Sequence, residues 1–149
     1  MSISHRTVYE SFASHDVKYL VIGGVAAIAY GVPRNTVDLD VVIEPTPANA
    51  RALLEALREA GLGTAHLIEP DDLLAREITI FEDVVRVDVQ TRTPGLAFAE
   101  AWERRSVRSL GGVPVNFVAL EDLIATKEAA ARPVDLEDLA VLRKANGAT

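Results

Sequence analysis

Residues 36–44 (TVDLDVVIE) alternate apolar and acidic side chains in a pattern that predicts one β-strand. Side chains two residues apart lie on the same face of a strand, so Asp38 and Asp40 share one face and the aliphatic residues from Val37 to Val41 the other. Two neighbouring carboxylates repel each other, and a bound cation would offset that repulsion. A solvated strand face explains the same alternation, so the acid pair alone does not establish a metal site.

A Gly-Gly pair lies between two apolar segments just before this strand. Residues 18–24 (KYLVIGG) predict a short buried strand that ends at glycine, and residues 25–31 (VAAIAYG) predict a short helix. Glycine at such a turn lets the backbone approach a phosphate, towards which the first N–H groups of the helix are directed. An ordinary tight turn is the alternative interpretation of Gly23 and Gly24.

The rest of the chain predicts helices and hairpins in an irregular order, and residues 62–76 have no firm pattern. The predicted helices cover residues 4–15, 46–61, 96–105, 120–131 and 134–145, and the predicted hairpins cover 77–91 and 106–120. This order predicts an α/β fold with a mixed, twisted sheet flanked by helices. A chain of 149 residues suggests a single domain, 1–149, whose helices at 120–145 close a cleft.

Composition excludes several kinds of function. The chain has no cysteine, which excludes disulfides and thiolate metal sites, and its net charge of −7 argues against a broad surface for duplex DNA. The N-terminal sequence lacks the apolar stretch of a signal peptide, and no segment approaches a membrane span, so we expect a cytoplasmic protein. The histidines lack metal-ligand spacing, and no P-loop, GxGxxG or GxSxG motif is present.

A third acid occurs on a separate predicted strand. In residues 84–91 (VVRVDVQT) the valines alternate with Arg86, Asp88 and Gln90. If this strand is a neighbour of the Asp38–Asp40 strand, three carboxylates converge, and such a cluster favours bound metal. Two metal ions there could activate an attacking hydroxyl and stabilise a leaving pyrophosphate.

Lys127 lies on the apolar stripe of a predicted helix, in register with Leu123 and Ile124. A lysine that packs its stem at the core edge and extends its ammonium to solvent is the commoner arrangement. The alternative is a lysine that faces a cleft and meets a phosphate. Arg34 and Arg132 are further cations that could hold phosphate, although surface arginines are common and need no such role.

The ordered set of these motifs resembles the nucleotidyltransferase superfamily of the polymerase-β type, in a minimal form. GGVAAIAYGVPRNTVDLD is similar to the Gly-Gly…Arg-x-Thr-x-Asp-x-Asp pattern of its small bacterial members, which include relatives of abortive-infection and toxin–antitoxin toxins. KEAAARPVDLEDL resembles their C-terminal Lys…Arg-x-x-Asp-x-x-Asp-Leu segment. The resemblance covers roughly residues 17–143.

The resemblance implies a role for each matching residue. Asp38, Asp40 and Asp88 would be the catalytic residues and the ligands of Mg²⁺ or Mn²⁺. The implied nucleotide-binding residues are Gly23, Gly24, Arg34, Thr36, Lys127 and Arg132.

The implied reaction moves a nucleoside monophosphate from an NTP such as ATP to an acceptor hydroxyl and releases pyrophosphate. The acceptor could be tRNA, a protein side chain or a small molecule, and an antitoxin or a second copy of the chain is the implied protein partner. Many members carry serine where this chain has Gly24, and a basic residue where it has Val134. The complete acid triad favours the enzyme, whereas the missing serine favours the alternative of a weak or inactive member that binds a nucleotide or a protein. An interaction domain without a ligand is a third option, which we expect only if neither Mg²⁺ nor any NTP shifts the melting temperature.

Overall fold

The computed structural model describes residues 4–147, so residues 1–3 and 148–149 of the predicted domain lie outside the described residues. The helices are α1 (His5–Ser14), α2 (Gly23–Ala29), α3 (Pro47–Glu59), α4 (Pro70–Leu74), α5 (Phe98–Glu103), α6 (Leu120–Ala130) and α7 (Pro133–Ala145). The strands are β1 (Tyr19–Ile22), β2 (Asp38–Ile43), β3 (Ile78–Glu82), β4 (Arg86–Gln90), β5 (Ser106–Leu110) and β6 (Val113–Phe117).

The six strands form one mixed sheet in the order β3-β4-β2-β1-β6-β5. β2 pairs with β4 and β1 pairs with β6 in parallel, whereas the other three pairs are antiparallel. This arrangement confirms the predicted mixed α/β fold. The two predicted hairpins are β3–β4 and β5–β6, and the second turns at Gly111 and Gly112 as expected.

Helix α3 shows how local sequence sets an element. The Thr46 side chain accepts a hydrogen bond from the Asn49 N–H at 3.3 Å, and Pro47 occupies the first helical position. The predicted stripe of Leu53, Leu54 and Leu57 is fully buried in the hydrophobic core.

Three local predictions differ from the structure. Residues 62–76, which had no firm pattern, contain a 3₁₀ helix (Gly63–Leu67) and α4, where Glu69 and Asp72 form a capping box. Helix α2 begins at Gly23 itself, earlier than predicted. Val37 was predicted to share the apolar face of β2, but it precedes the strand and is 81% exposed.

Helices α6 and α7 pack against each other after a tight reversal. Ala131 ends α6 in a left-handed conformation with φ 49° and ψ 28°, and Pro133 opens α7. None of the helices between residues 4 and 147 has the length and apolar character that a membrane span requires.

Candidate functional site

The acids predicted to form the site lie on adjacent strands in the middle of the sheet. In the parallel pairing of β2 with β4, Asp40 lies opposite Asp88, and Asp38 lies opposite Arg86. The side-chain alternation within each strand then places all four side chains on one face of the sheet. The strand register therefore brings the three carboxylates together.

The Gly-Gly turn packs directly against this acid cluster. Gly23 has φ +66°, and a Cβ built on it would overlap the Asp40 carboxylate, with only 2.9 Å to Cγ. Both the backbone conformation and the close approach therefore require glycine at this position.

Gly24 is buried beneath two other residues of the predicted motif. A Cβ there would lie 3.2 Å from the Thr36 hydroxyl oxygen and 3.3 Å from Nη1 of Arg34. A side chain at position 24 would therefore pack tightly against Thr36 and Arg34, which would have to shift by a few tenths of an ångström to accept it.

The position of Asp40 in the cluster perturbs its acidity. Burial, reinforced by the charges of Asp88 and Asp38 and by a hydrogen bond with Asp88, raises the pKa of Asp40 to about 6. The nearby charge of Arg86 acts in the opposite direction. The protein therefore holds this carboxylate in a position where its negative charge is unfavourable without additional cations.

Arg86 binds the cluster, and the sequence interpretation did not include it among the site residues. Its Nε and Nη2 donate to the two oxygens of Asp88 at 2.9 and 3.1 Å, and Nε lies 3.8 Å from an Asp38 oxygen. The hydrogen bonds to Asp88 raise the pKa of Arg86. The alternation of Arg86 with Asp88 was visible in the sequence and would have placed both on one face.

A cavity of about 310 Å³ opens beside Asp40 and Asp88. It is lined both by predicted metal ligands and by predicted nucleotide-binding residues, namely Gly23, Asp40, Asp88, Lys127 and Arg132. Gln90 and Thr93, which the sequence interpretation did not select, line it as well. Asp38 instead lines a neighbouring cavity of about 440 Å³ with Arg86 and Glu82.

Lys127 lines the first cavity, but its ammonium does not extend into solvent. The residue is only 4% exposed, and its Nζ lies 2.8 Å from Asp138 and 3.6 Å from Asp135. The surface-lysine interpretation was therefore wrong. The amphipathic pattern of α6 indicated the inward direction of the side chain, but it could not reveal that α7 supplies buried carboxylates.

Arg34 and Arg132 extend this ionic network from the buried aspartates towards the surface. Arg34 donates to both oxygens of Asp138 at 3.2 and 2.9 Å, and Arg132 donates to both oxygens of Asp135 at 2.7 and 3.1 Å. Burial opposes ionisation, but these hydrogen bonds, and that of Lys127 to Asp138, lower the pKa of both aspartates. Arg132 remains accessible, since its side chain is 70% exposed.

A family model described as "nucleotidyltransferase of unknown function (DUF6036)" matches residues 7–143. The chain belongs to this nucleotidyltransferase family. A solved structure from Thermotoga maritima, of a protein provisionally named a nucleotidyltransferase, shares the fold with a TM-score of 0.52. It is 14% identical, and the alignment covers 96% of this chain and 90% of that one. No significant match occurs among curated proteins.

The three aspartates of this nucleotidyltransferase have the ligand chemistry of a site for a hard divalent cation, but their side chains are not arranged as metal ligands. Three carboxylates on one face offer the oxygen ligands that Mg²⁺ prefers. Within residues 4–147, however, no group of three or more acidic or histidine side chains has a metal-binding arrangement. Both Asp88 oxygens accept hydrogen bonds from Arg86, so the donor set fits a metal in its chemistry, while the Asp88 carboxylate is paired with a protein cation.

Proposed function

We propose that this nucleotidyltransferase transfers a nucleoside monophosphate from an NTP to an acceptor hydroxyl and releases pyrophosphate. The observation that carries the proposal is the register of β2 and β4, which sets Asp40 opposite Asp88 beside a cavity that also contains Gly23 and Arg132. The acids Asp40 and Asp88 and the cation Arg132 line the same cavity, a combination that suits a triphosphate with its bound metal ion.

Asp38, Asp40 and Asp88 would hold Mg²⁺ or Mn²⁺. A bound divalent ion would promote ionisation of the acceptor hydroxyl and neutralise charge on the departing pyrophosphate. The carboxylates favour such an ion because Asp40 is partly buried among like charges, as its raised pKa of about 6 reflects.

Arg132 is the cation best placed to contact the triphosphate. Its Nε and Nη2 bind Asp135, which fixes the guanidinium plane, while Nη1 makes no hydrogen bond to the described residues. This remaining nitrogen can donate to a phosphate oxygen in the cavity. Lys127 and Arg34 would not donate to the triphosphate directly but would support the site by their charge, since Asp138 binds both of them.

A second candidate is a member of the fold that binds a nucleotide or a protein partner without turnover. The pairing of Arg86 with Asp88 favours this candidate, because the third carboxylate is occupied by a protein cation. The two candidates differ in whether product forms when a divalent metal is supplied.

The test is incubation of the purified protein with each labelled NTP, Mg²⁺ or Mn²⁺ and a cell extract, followed by identification of the labelled species. We expect label in one class of acceptor, with none for Asp40→Asn. Mg²⁺ should also raise the melting temperature of the wild type by mass action, but not that of Asp40→Asn.

The matched control is Asp71→Asn, which removes an exposed aspartate of α4 remote from the cluster. It should behave as wild type in both assays. Binding of NTP to the wild type with no labelled product under any condition would support the binding-module alternative. An equal Mg²⁺ response in wild type and Asp40→Asn would contradict the metal site.

A further inference from the structure

Arg86 holds both oxygens of the carboxylate that the proposed metal site requires. The contact is bidentate, at 2.9 and 3.1 Å to Asp88, and the same guanidinium lies 3.8 Å from Asp38. A guanidinium fork of this kind is a strong and directional partner for a carboxylate. It therefore pairs with two of the three carboxylates that the proposed metal site would use.

A third acid, Glu82, lies next to Arg86 on the neighbouring strand β3. Glu82 of β3 lies directly opposite Arg86 in the antiparallel pairing with β4, and its charge contributes to the raised pKa of Arg86. Among residues 4–147, no hydrogen bond or ion pair of the Glu82 carboxylate is formed. Side chains directly opposite on paired strands are close enough to interact.

Arg86 also has space in which to move. It lines the cavity of about 440 Å³ together with Glu82 and Asp38, and its side chain is 36% exposed. A rotation about the side-chain bonds can therefore carry the guanidinium from Asp88 towards Glu82 without a change in the strands.

We propose that Arg86 competes with the divalent metal for Asp88, and that Glu82 receives the guanidinium when the metal binds. The inference rests on the proposed metal site and adds two residues that set its affinity. Without metal, Arg86 neutralises part of the charge of the acid cluster. When the metal binds, the Arg86 guanidinium pairs with Glu82 instead. The metal affinity of the protein therefore depends on the difference in free energy between two arrangements of Arg86, one paired with Asp88 and one paired with Glu82.

The experiment measures Mn²⁺ binding, without nucleotide, from the electron paramagnetic resonance signal of free Mn²⁺. Arg86→Gln should bind Mn²⁺ about 10- to 100-fold more tightly than wild type, since a hydrogen bond to a charged group corresponds to that range. Glu82→Gln should bind several-fold more weakly. Because Glu82 acts through Arg86, Glu82→Gln should have little effect when Arg86 is already glutamine.

Arg92→Gln is the charge control, since Arg92 forms an exposed pair with Glu77 away from the cluster. It should bind Mn²⁺ as wild type does. Melting curves in EDTA establish that each variant is folded.

Unchanged binding by Arg86→Gln would overturn the competition and leave the metal site intact. Weaker binding would overturn it as well, because Arg86 would then be holding Asp88 in position for the ion. An undiminished Glu82→Gln effect in the Arg86→Gln background would overturn the role of Glu82 as acceptor. Absence of Mn²⁺ binding by both wild type and Arg86→Gln would overturn the inference together with the proposed function.

Discussion

At the scale of single residues, the acid cluster combines a close contact with unfavourable charge. Gly23 lacks a side chain where the Asp40 carboxylate fills the available space, and Asp40 in turn lies among Asp38 and Asp88. Arg86 compensates part of this charge. Such an arrangement is expected at a functional site, where stability is lower than packing alone would allow.

Asp40→Asn should stabilise the metal-free protein at neutral and alkaline pH. The pKa of Asp40 is raised to about 6, so the folded protein binds this proton more tightly than the unfolded chain. The resulting stability is fully present below the unfolded pKa and is lost as pH rises through 6. The free energy of unfolding of the variant should therefore exceed that of wild type by about 3 kcal/mol at pH 8, and the difference should fall to about 0.5 kcal/mol at pH 4.

The measurement is urea unfolding in EDTA from pH 4 to pH 8. The lowered pKa values of Asp135 and Asp138 affect both proteins equally and cancel in the difference. Glu137→Gln, which removes an exposed carboxylate of α7, is the control. If the difference in free energy of unfolding between the two proteins does not change with pH, the pKa of Asp40 is not raised in the folded state.

Alternation in the sequence was sufficient to predict that Asp38 and Asp40 share a face, because a strand has a period of two. It joined Asp88 to them only on the condition that the two strands are neighbours, and the resemblance supplied the complete set. Arg86 was missed although the alternation placed it on the same face as Asp88, two residues away on the same strand. The pairing of Asp40 with Asp88 could not be predicted in this way, because it depends on the register between two strands.

At the scale of elements, one ionic network joins α6, α7 and the segment before β2. Lys127 of α6 and Arg34, from the loop after α2, both bind Asp138 of α7. Arg132 binds Asp135 at the start of α7. The helices that line the cavity are thereby attached to the segment that carries Thr36.

Lys127→Met should destabilise the protein, although methionine fills nearly the same volume. Asp138 is buried, and the substitution removes one of its two cations and leaves its charge only partly compensated. Breaking a buried pair costs about 3–5 kcal/mol, and because Arg34 remains we expect the lower end, about 3 kcal/mol.

Urea unfolding of wild type and Lys127→Met at pH 7 measures this loss. Lys144→Met, at an exposed position near the end of α7, is the matched control and should change the free energy of unfolding by less than about 0.5 kcal/mol. A similarly small effect for Lys127→Met would mean that the buried pair contributes no net stability.

At the scale of the whole molecule, sequence pattern predicted most elements and the class of fold. Long periodic segments such as α3, with its caps and leucine stripe, were predictable because local interactions determine them. Helix α4 was missed because its five residues are too short for a periodic signal. The strand order was beyond reach, since it depends on pairings between distant segments.

The pairing of β1 with β6, in which Val21 lies opposite Phe117, is among the most distant in the sheet. Closing so long a loop costs entropy before any contact is gained, so contacts of this kind form late in folding. Phe117→Leu, at the β6 residue that pairs with β1, should therefore mainly accelerate unfolding, whereas Val87→Ala in the local β3–β4 hairpin should slow folding.

Stopped-flow folding and unfolding rates in urea measure both effects, and equal changes in folding rate for the two variants would contradict the proposed order. The pairing also determines when the chain acquires its cavity. Helix α6, which supplies one wall, directly follows β6, while Gly23 directly follows β1. During synthesis, β2 and β4 can pair before helix α6 has been made. The nascent protein would then expose its carboxylates to solvent. They would become enclosed only when the last strands have joined the sheet and α6 has packed beside them.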